Sequence, residues 1–419
     1  MRTSPSSPGA RYLAWQALQR WGRGGVFAET LVASAAAEHH LPHADRALLQ
    51  ALVYGTLRQM ARLDWMRLRL RREPLEESVR WLVLLGLCQL FVLGQVEYAA
   101  VAETVRLAPS RVRGLVNAML RNALRRREEF AAAESALPLA QRFSTPRWLV
   151  ERWLRDFGEE DTLGMLEWNQ QTPPVYLRLN PTAPPTVIPE DWDPLSELPG
   201  WYRLHGALPR KELRAGQVYI TDPSTRYSVE LLAPRAGERI LDACAAPGGK
   251  AAAILTATAG QVELLATDAE PHRLPALRDN LMRVAAGATL RVAQHDWSLP
   301  CPPEWQGAFD AVLLDVPCSN SGVLQRRVDV RWRLTPAEFD RLAALQRCIL
   351  EQGARAVRPG GRLVYSTCSI DRQEDADCVR AFLNTHPEFS LRREILALPH
   401  RVQADGAYAA LLERRADGV

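Results

Sequence analysis

The chain of 419 residues reads as an α/β protein, a doubly wound and mainly parallel sheet preceded by an all-helical region. Three observations lead there. From about Tyr227 onward, short apolar runs alternate with helical stretches in a βαβ rhythm. One of those runs leads through the loop Asp242-Ala-Cys-Ala-Ala-Pro-Gly-Gly-Lys250 into an alanine-rich helix, the place where such a sheet holds a nucleotide-like ligand. Arg11 to about Arg127 instead carries apolar residues at helical spacing.

Taken in order, the start Met1–Ala10 lacks the apolar core that a signal peptide needs. Tyr12–Leu18, Ala47–Leu57 and Leu115–Leu124 predict amphipathic helices. Trp81–Leu93 is apolar on most faces and is expected as the buried central helix, with Cys88 as a core thiol. The longest apolar run, Trp81–Gly94, is too short to cross a bilayer, so the expected compartment is the cytoplasm. Glu128–Gln141, alanine-rich and of mixed charge, reads as a linker, and a second region starts near Phe143-Ser-Thr-Pro-Arg-Trp148. Eight prolines between 172 and 200 predict loops and short strands. Strand candidates follow at Glu238–Asp242, Glu263–Asp268, Thr289–His295, Ala308–Asp315 and Arg362–Thr367. Thr335-Pro-Ala-Glu338 is a capping box with proline at the first helical position. It predicts a helix to about Val357, ended by Arg358-Pro-Gly-Gly361 and carrying Cys348 in the core.

The length exceeds what one hydrophobic core organises, so two or three domains are expected. Seven cysteines, an odd number without CxxC spacing, argue against a disulfide framework and a structural metal site, and predict reduced thiols. Net charge is +4 but uneven: residues 1–140 hold 19 Arg and no Lys against 12 Asp and Glu, a net of +7 that leaves −3 for the rest. This asymmetry suits a polyanion-binding N-terminal region, with Arg111, Arg113, Arg121, Arg125, Arg126 and Arg127 as its densest cluster.

In the loop Asp242–Lys250, Pro247 stiffens the turn, while Gly248 and Gly249 leave room for a ligand at the backbone. Asp268, at the end of the next strand, is placed to accept from ribose hydroxyls, and Asp296, after the third, to meet an adenine edge. Neither GxGxxG nor GxxxxGK[ST] is present, which disfavours hydride transfer and nucleotide hydrolysis. Lys250 and Lys211 are the chain's two lysines. Two further strand ends carry Asp315-Val-Pro-Cys-Ser319 and Tyr365-Ser-Thr-Cys-Ser369. A cofactor loop followed by two strand-end cysteines points to methyl transfer through a covalent pyrimidine adduct. Cytosine C5 is a poor nucleophile until a thiolate adds to C6.

These three motifs resemble those of the RNA cytosine-5 methyltransferases. The helical N-terminus resembles the NusB-like domain of their bacterial RsmB branch through Asp45-Arg-Ala-Leu-Leu49, Val53-Tyr-Gly-Thr-Leu-Arg58 and Val116-Asn-Ala-Met-Leu-Arg121. The resemblance covers nearly the whole chain. It implies S-adenosyl-L-methionine as methyl donor and a cytosine of 16S ribosomal RNA, free or partly assembled, as substrate. By the same resemblance Cys368 is the nucleophile and Cys318 the second cysteine, used in resolving the adduct. Asp315 contacts the target base near the methyl donor, and Cys244, Ala245, Ala246, Pro247, Gly248, Gly249, Lys250, Asp268, Asp296 and Asp315 itself line the cofactor pocket. The implied domains are a NusB-like RNA-binding domain over 1–130, a small α+β connecting region over 141–225 and a Rossmann-like methyltransferase domain over 226–419. A monomer without metal or membrane partner is expected.

The chain departs from the family pattern at Ser319-Asn-Ser-Gly322, at Arg327-Val-Asp-Val-Arg-Trp332 in place of His-Pro-Asp-Ile-Lys-Trp, and at Asp405-Gly-Ala-Tyr408 in place of Asp-Gly-Phe-Phe. The first two are expected on an RNA-facing loop. A DNA cytosine methyltransferase uses its Pro-Cys cysteine as nucleophile and lacks the Thr-Cys motif, so Tyr365–Ser369 argues against it. A non-catalytic RNA-assembly factor has no use for the three motifs.

Overall fold

The computed structural model describes residues 8–184, 186–284 and 288–416. Residues 1–7, most of the start read for its lack of a leader, and Pro185 of the proline-rich stretch lie outside the described residues.

Two compact units arise, one of residues up to Gln171 together with Leu324–Arg333, the other of Thr172–Val323 with Leu334 onward. In the first, the expected amphipathic stretches fold as helices Ala10–Gly22, His43–Arg58 and Arg113–Arg125. They pack with the helix Glu77–Phe91, which buries every residue from Trp81 to Leu90 and places Cys88 in the core. Each such apolar side chain withdrawn from water stabilises the unit by about 1.5–3 kcal/mol. No helix among the described residues is long and apolar enough to cross a membrane.

Two expectations are corrected within this unit. The stretch read as a linker is helical at Arg127–Glu134 and Leu139–Arg142, because Phe130 is an apolar anchor packed edge-on to Trp65 and Phe91. The helix Arg147–Trp168 also packs with this unit. Within Arg327–Trp332, expected on an RNA-facing loop, Arg327 is exposed but the rest is part of this unit's core. Val328, Asp329, Val330 and Arg331 are buried, with Val328 and Trp332 packed in the helical cluster.

The second unit contains two sheets. β1 (Val175–Leu179), β2 (Trp192–Pro194), β3 (Trp201–Leu204) and β4 (Val218–Ile220) form an antiparallel sheet in the order β2-β3-β1-β4. The large sheet joins β5 (Arg239–Asp242), β6 (Glu263–Asp268), β7 (Thr289–Gln294), β8 (Phe309–Asp315), β9 (Val357–Thr367), β10 (Phe389–Ala397) and β11 (Ala407–Arg414) in the order β10-β11-β9-β8-β5-β6-β7. β5 to β10 all run in one direction, and β11 runs against them, pairing antiparallel with both β9 and β10. The expected doubly wound sheet is therefore present. Chain order reverses between β5 and β8, and the crevice at their carboxyl ends is where such sheets bind ligands.

The helix Pro336–Ala356 crosses from β8 to β9, its Thr335 hydroxyl accepting from Glu338 N at 3.2 Å. Its buried stripe runs through Phe339, Leu342, Ala343, Gln346, Ile349, Leu350 and Gly353. Cys348 falls on the opposite face and is exposed, which corrects its expected place in the core.

Candidate active site

Parallel neighbours end at the same edge of a sheet, so the motifs that follow β8 and β9 meet although fifty residues separate their cysteines. Cys318 Sγ and Cys368 Sγ lie 3.2 Å apart, and Cys368 Sγ is 3.3 Å from Asn320 Oδ1. Both thiols are half-buried. The Cys318 thiol is pushed well up, first by its hydrogen bond with Cys368 and then by burial. A cavity of about 80 Å³ lies beside Cys368, lined also by Lys250, Ser366, Thr225 and Tyr408. A larger one of about 330 Å³ adjoins Pro247–Gly249 but is walled by Arg178, Tyr219 and Arg283 and contains neither cysteine.

Asp315 ends β8 in register with Ser366 of β9, whose hydroxyl donates to its Oδ1 at 2.9 Å. Lys250 Nζ donates to the other oxygen at 2.6 Å. Burial opposes the lysine's charge, yet Asp315 outweighs it, with Cys368 and Asp242 adding, so the ammonium is held above its ordinary value. The structure thus brings Lys250, assigned from sequence to the cofactor set, to the Asp315–Cys368 side.

The rest of the loop is braced from the sheet. Ala243 N donates to Leu313 O, Ala245 N to Thr267 O, and Thr267 Oγ1 to Ala243 O. Gly248 adopts φ +108°, and an added Cβ would meet Leu277 Cδ1 at 3.0 Å, so glycine is required there. Asp268 is buried, its Oδ2 accepting from Ala246 N at 3.2 Å and its Oδ1 from Glu270 N at 3.0 Å. Asp296 is exposed two residues beyond the end of β7 and accepts from Ser298 N and Oγ.

Asp242, which ends β5, was read only as the start of the loop. It is fully buried, neither carboxylate oxygen has a partner among the described residues, and burial, then Asp315, push its carboxyl up to about 7. Asp242, Asp268, Asp296 and Asp315 together also raise the Cys244 thiol, after burial. Four carboxylates against Lys250 and Arg273 make a site that fits a cation. S-adenosylmethionine, with its sulfonium and ammonium, matches that donor set and leaves the orphaned Asp242 oxygens a partner.

Sequence reasoning missed Ser366, Asn320 and Glu374. Glu374 has no exposed surface, and it accepts from Ser319 N at 2.8 Å, Gln346 Nε2 at 2.9 Å and Ser369 Oγ at 2.6 Å. A glutamate between Gln373 and Asp375 carries the signature of an exposed turn, and only its place six residues after Cys368 hinted otherwise.

Of the basic cluster in the helical unit, Arg111 pairs with Glu76, Arg126 with Glu129 and Arg127 with Glu97, whereas Arg121 bonds Asn117 and Arg125 is exposed. Its positive field is partly neutralised within the fold.

Comparison with known proteins gives a consistent picture. Residues 229–413 match the family described as 16S rRNA methyltransferase RsmB/F, residues 8–125 the NusB family, and residues 145–184 the ferredoxin-like domain of RsmF/B-like methyltransferases. Ribosomal RNA small subunit methyltransferase B of Cronobacter sakazakii is 32% identical over 97% of this chain and 98% of its own. The protein of that name from Salmonella arizonae is 36% identical over 83% and 84%. Among solved structures, PH0851 shares the fold over 98% of this chain and 100% of its own, at a TM-score of 0.76 and 22% identity.

Proposed function

The chain belongs to the 16S rRNA methyltransferase RsmB/F family, and from that premise we propose that it methylates C5 of a cytosine in ribosomal RNA through a covalent adduct on Cys368. The observation that carries this reading is the pair of sulfurs 3.2 Å apart beside the Asp315–Lys250 pair. Two thiols and one anchored carboxylate are what addition to C6 and later release require.

S-adenosylmethionine, held by Asp242, Asp268, Asp296 and the loop Cys244–Gly249, supplies the electrophilic methyl group when bound. The chain's own residues do the rest. Cys368 Sγ, its proton released to water, adds to C6 as the thiolate, and the displaced C5=C6 π pair makes C5 enamine-like. Asp315, fixed by Lys250 and Ser366, meets the polar edge of the base. Cys318 keeps its proton, because its hydrogen bond with Cys368 and burial push its thiol up. Release is a β-elimination: the C5 proton passes to water, its electron pair re-forms C5=C6, the Cys368–C6 bond breaks, and the Cys318 thiol 3.2 Å away protonates the leaving thiolate. The base must first be unstacked, at a cost of a few kcal/mol that binding elsewhere on the RNA offsets. Arginines of the helical unit contribute through phosphate contacts.

Bisulfite sequencing of 16S rRNA from cells with and without this gene tests the reading. One cytosine, protected in the presence of the gene, should convert in its absence. An unchanged pattern sinks the proposal.

A further inference from the structure

The geometry points to Glu374 as the positioning residue that holds the two cysteine loops at their working separation, an inference that rests on the roles proposed for Cys318 and Cys368. Its carboxylate reaches the residue immediately after each cysteine: Oε1 accepts from Ser319 N at 2.8 Å, and Oε2 from Ser369 Oγ at 2.6 Å. One rigid group therefore spans both loops, one residue from each sulfur. Gln346, buried in the crossover helix, fixes the carboxylate from behind. Its Nε2 donates to Glu374 Oε1 at 2.9 Å and to Pro317 O, on the other side of Cys318, also at 2.9 Å. Glu374 is itself held in place, because Tyr365 Oη donates to its backbone carbonyl at 2.5 Å.

Each partner of the Glu374 carboxylate can donate to it, and these hydrogen bonds offset part of the burial that pushes its carboxyl up. A buried carboxylate is costly unless its lone pairs are satisfied, and these donors come from the two loops and the helix between them. Apolar packing has no need of such a group. Because it touches neither sulfur, its effect on the reaction passes through Ser319 and Ser369. Direct ties between the loops exist, Gly322 N donating to Cys368 O at 3.0 Å and Ser321 Oγ meeting Ser369 Oγ at 3.0 Å. Both lie after Cys318, and Val316 N donates to Ser366 O ahead of it at 3.0 Å, whereas the Pro317–Gln346–Glu374 chain grips the residues immediately flanking Cys318 on both sides.

The test uses the full-length protein with Glu374→Ala and Glu374→Gln. The first readout needs no RNA and no turnover: diamide takes two electrons and two protons from Cys318 and Cys368 to form their disulfide, at a rate set by how often the sulfurs meet. A Cys318→Ser control identifies that bond against oxidation of exposed Cys348. Wild type should oxidise roughly tenfold faster than Glu374→Ala. Glu374→Gln keeps an acceptor for Ser319 N and should fall between. The second readout is methylation, where Glu374→Ala should lose about a hundredfold in kcat with little change in KM for RNA, because a displaced reacting group costs that much. Cofactor affinity should stay within threefold of wild type.

Equal diamide rates in wild type and Glu374→Ala overturn the positioning role. So does a kcat loss that is matched by equal losses in cofactor affinity and Tm, since that is general unfolding. Turnover by Cys368→Ala with the diamide difference intact would instead refute the proposed nucleophile and leave the positioning role standing.

Discussion

Lys250 Nζ lies 2.6 Å from Asp315 Oδ2, so the ammonium of the cofactor loop faces the carboxylate before the first cysteine motif. In Lys250→Met the four carboxylates of the pocket lose a counter-charge, and a cationic cofactor should bind at least as tightly as in wild type. Methylation should fall by about two orders of magnitude as Asp315 loses its anchor. Calorimetric titration beside a turnover assay checks both. A tenfold weaker cofactor with normal turnover would return Lys250 to the cofactor set.

The two sulfurs, although 3.2 Å apart, should respond differently to removal. Cys368→Ala abolishes methylation with cofactor affinity nearly unchanged, since this thiol bonds to the base. Cys318→Ala permits addition and methyl transfer but slows release, so a protein–RNA adduct accumulates and survives denaturing electrophoresis. An adduct in Cys368→Ala instead reverses the two roles.

That the two cysteines meet is legible in the sequence, because both sit at strand ends with strong local signals: an apolar run, then Pro-Cys or Thr-Cys, then small residues. Parallel pairing of β8 and β9 follows from the βαβ rhythm and suffices to bring the sulfurs together. What could not be read depends on partners distant in sequence. Asp242 looks like a loop residue until β8 covers it, and Glu374 looks solvated until Ser319 and Gln346 close over it. Cys348 was misplaced by one helical position, a small error that moves a side chain from the buried stripe to the solvent face.

Asp242 gives the protein a pH dependence. Its folded carboxyl, pushed by burial up to about 7, lies above the unfolded value of about 4. Its contribution to stability is therefore fully present below about pH 4 and lost as pH rises through about 7. Without cofactor, Tm should fall between pH 5 and pH 8, and Asp242→Asn should flatten that part of the profile. The ammonium of the cofactor needs the ionised carboxylate, so its affinity should rise over the same interval in wild type and not in the variant. A pH-independent affinity would separate Asp242 from the cofactor.

For RNA binding, pairing within the fold ranks the arginines. Arg125→Gln should lower the log–log salt slope by about 0.7–0.9, the loss of one phosphate contact. Arg126→Gln should change it less, because Glu129 already holds that guanidinium through two hydrogen bonds of 2.7 and 2.6 Å. Salt titrations on one 16S fragment compare the two, and equal slopes for both variants and wild type would mean that these arginines only solvate their helix.

The segment Leu324–Arg333 makes the strongest demand on the helical unit. Asp329 is buried and accepts from Trp21 Nε1 at 3.0 Å and from Ala28 N at 2.8 Å, about three hundred residues away in sequence. Arg58 donates to Gln325 O, Trp332 Nε1 to Leu57 O, and the fully buried Arg331 to Leu324 O. Read from charge alone, residues 1–130 are a detachable RNA-binding module. With this segment in its core, the unit is completed by ten residues that follow the Cys318 loop. Hydrogen bonds to a charged acceptor contribute about 1.5–3 kcal/mol each, so Asp329→Ala, which also strands two buried donors, should destabilise the helical unit by roughly 3–5 kcal/mol. Asp329→Asn retains an acceptor and should cost about 1 kcal/mol. Urea unfolding followed by tryptophan fluorescence measures both, since Trp21 is a direct partner. For the same reason, deleting residues 1–130 should yield aggregating protein, not a soluble enzyme with weaker RNA binding, because Val328 and Trp332 lose their cover. A soluble, cofactor-binding truncation would show that the segment folds without its helical partners.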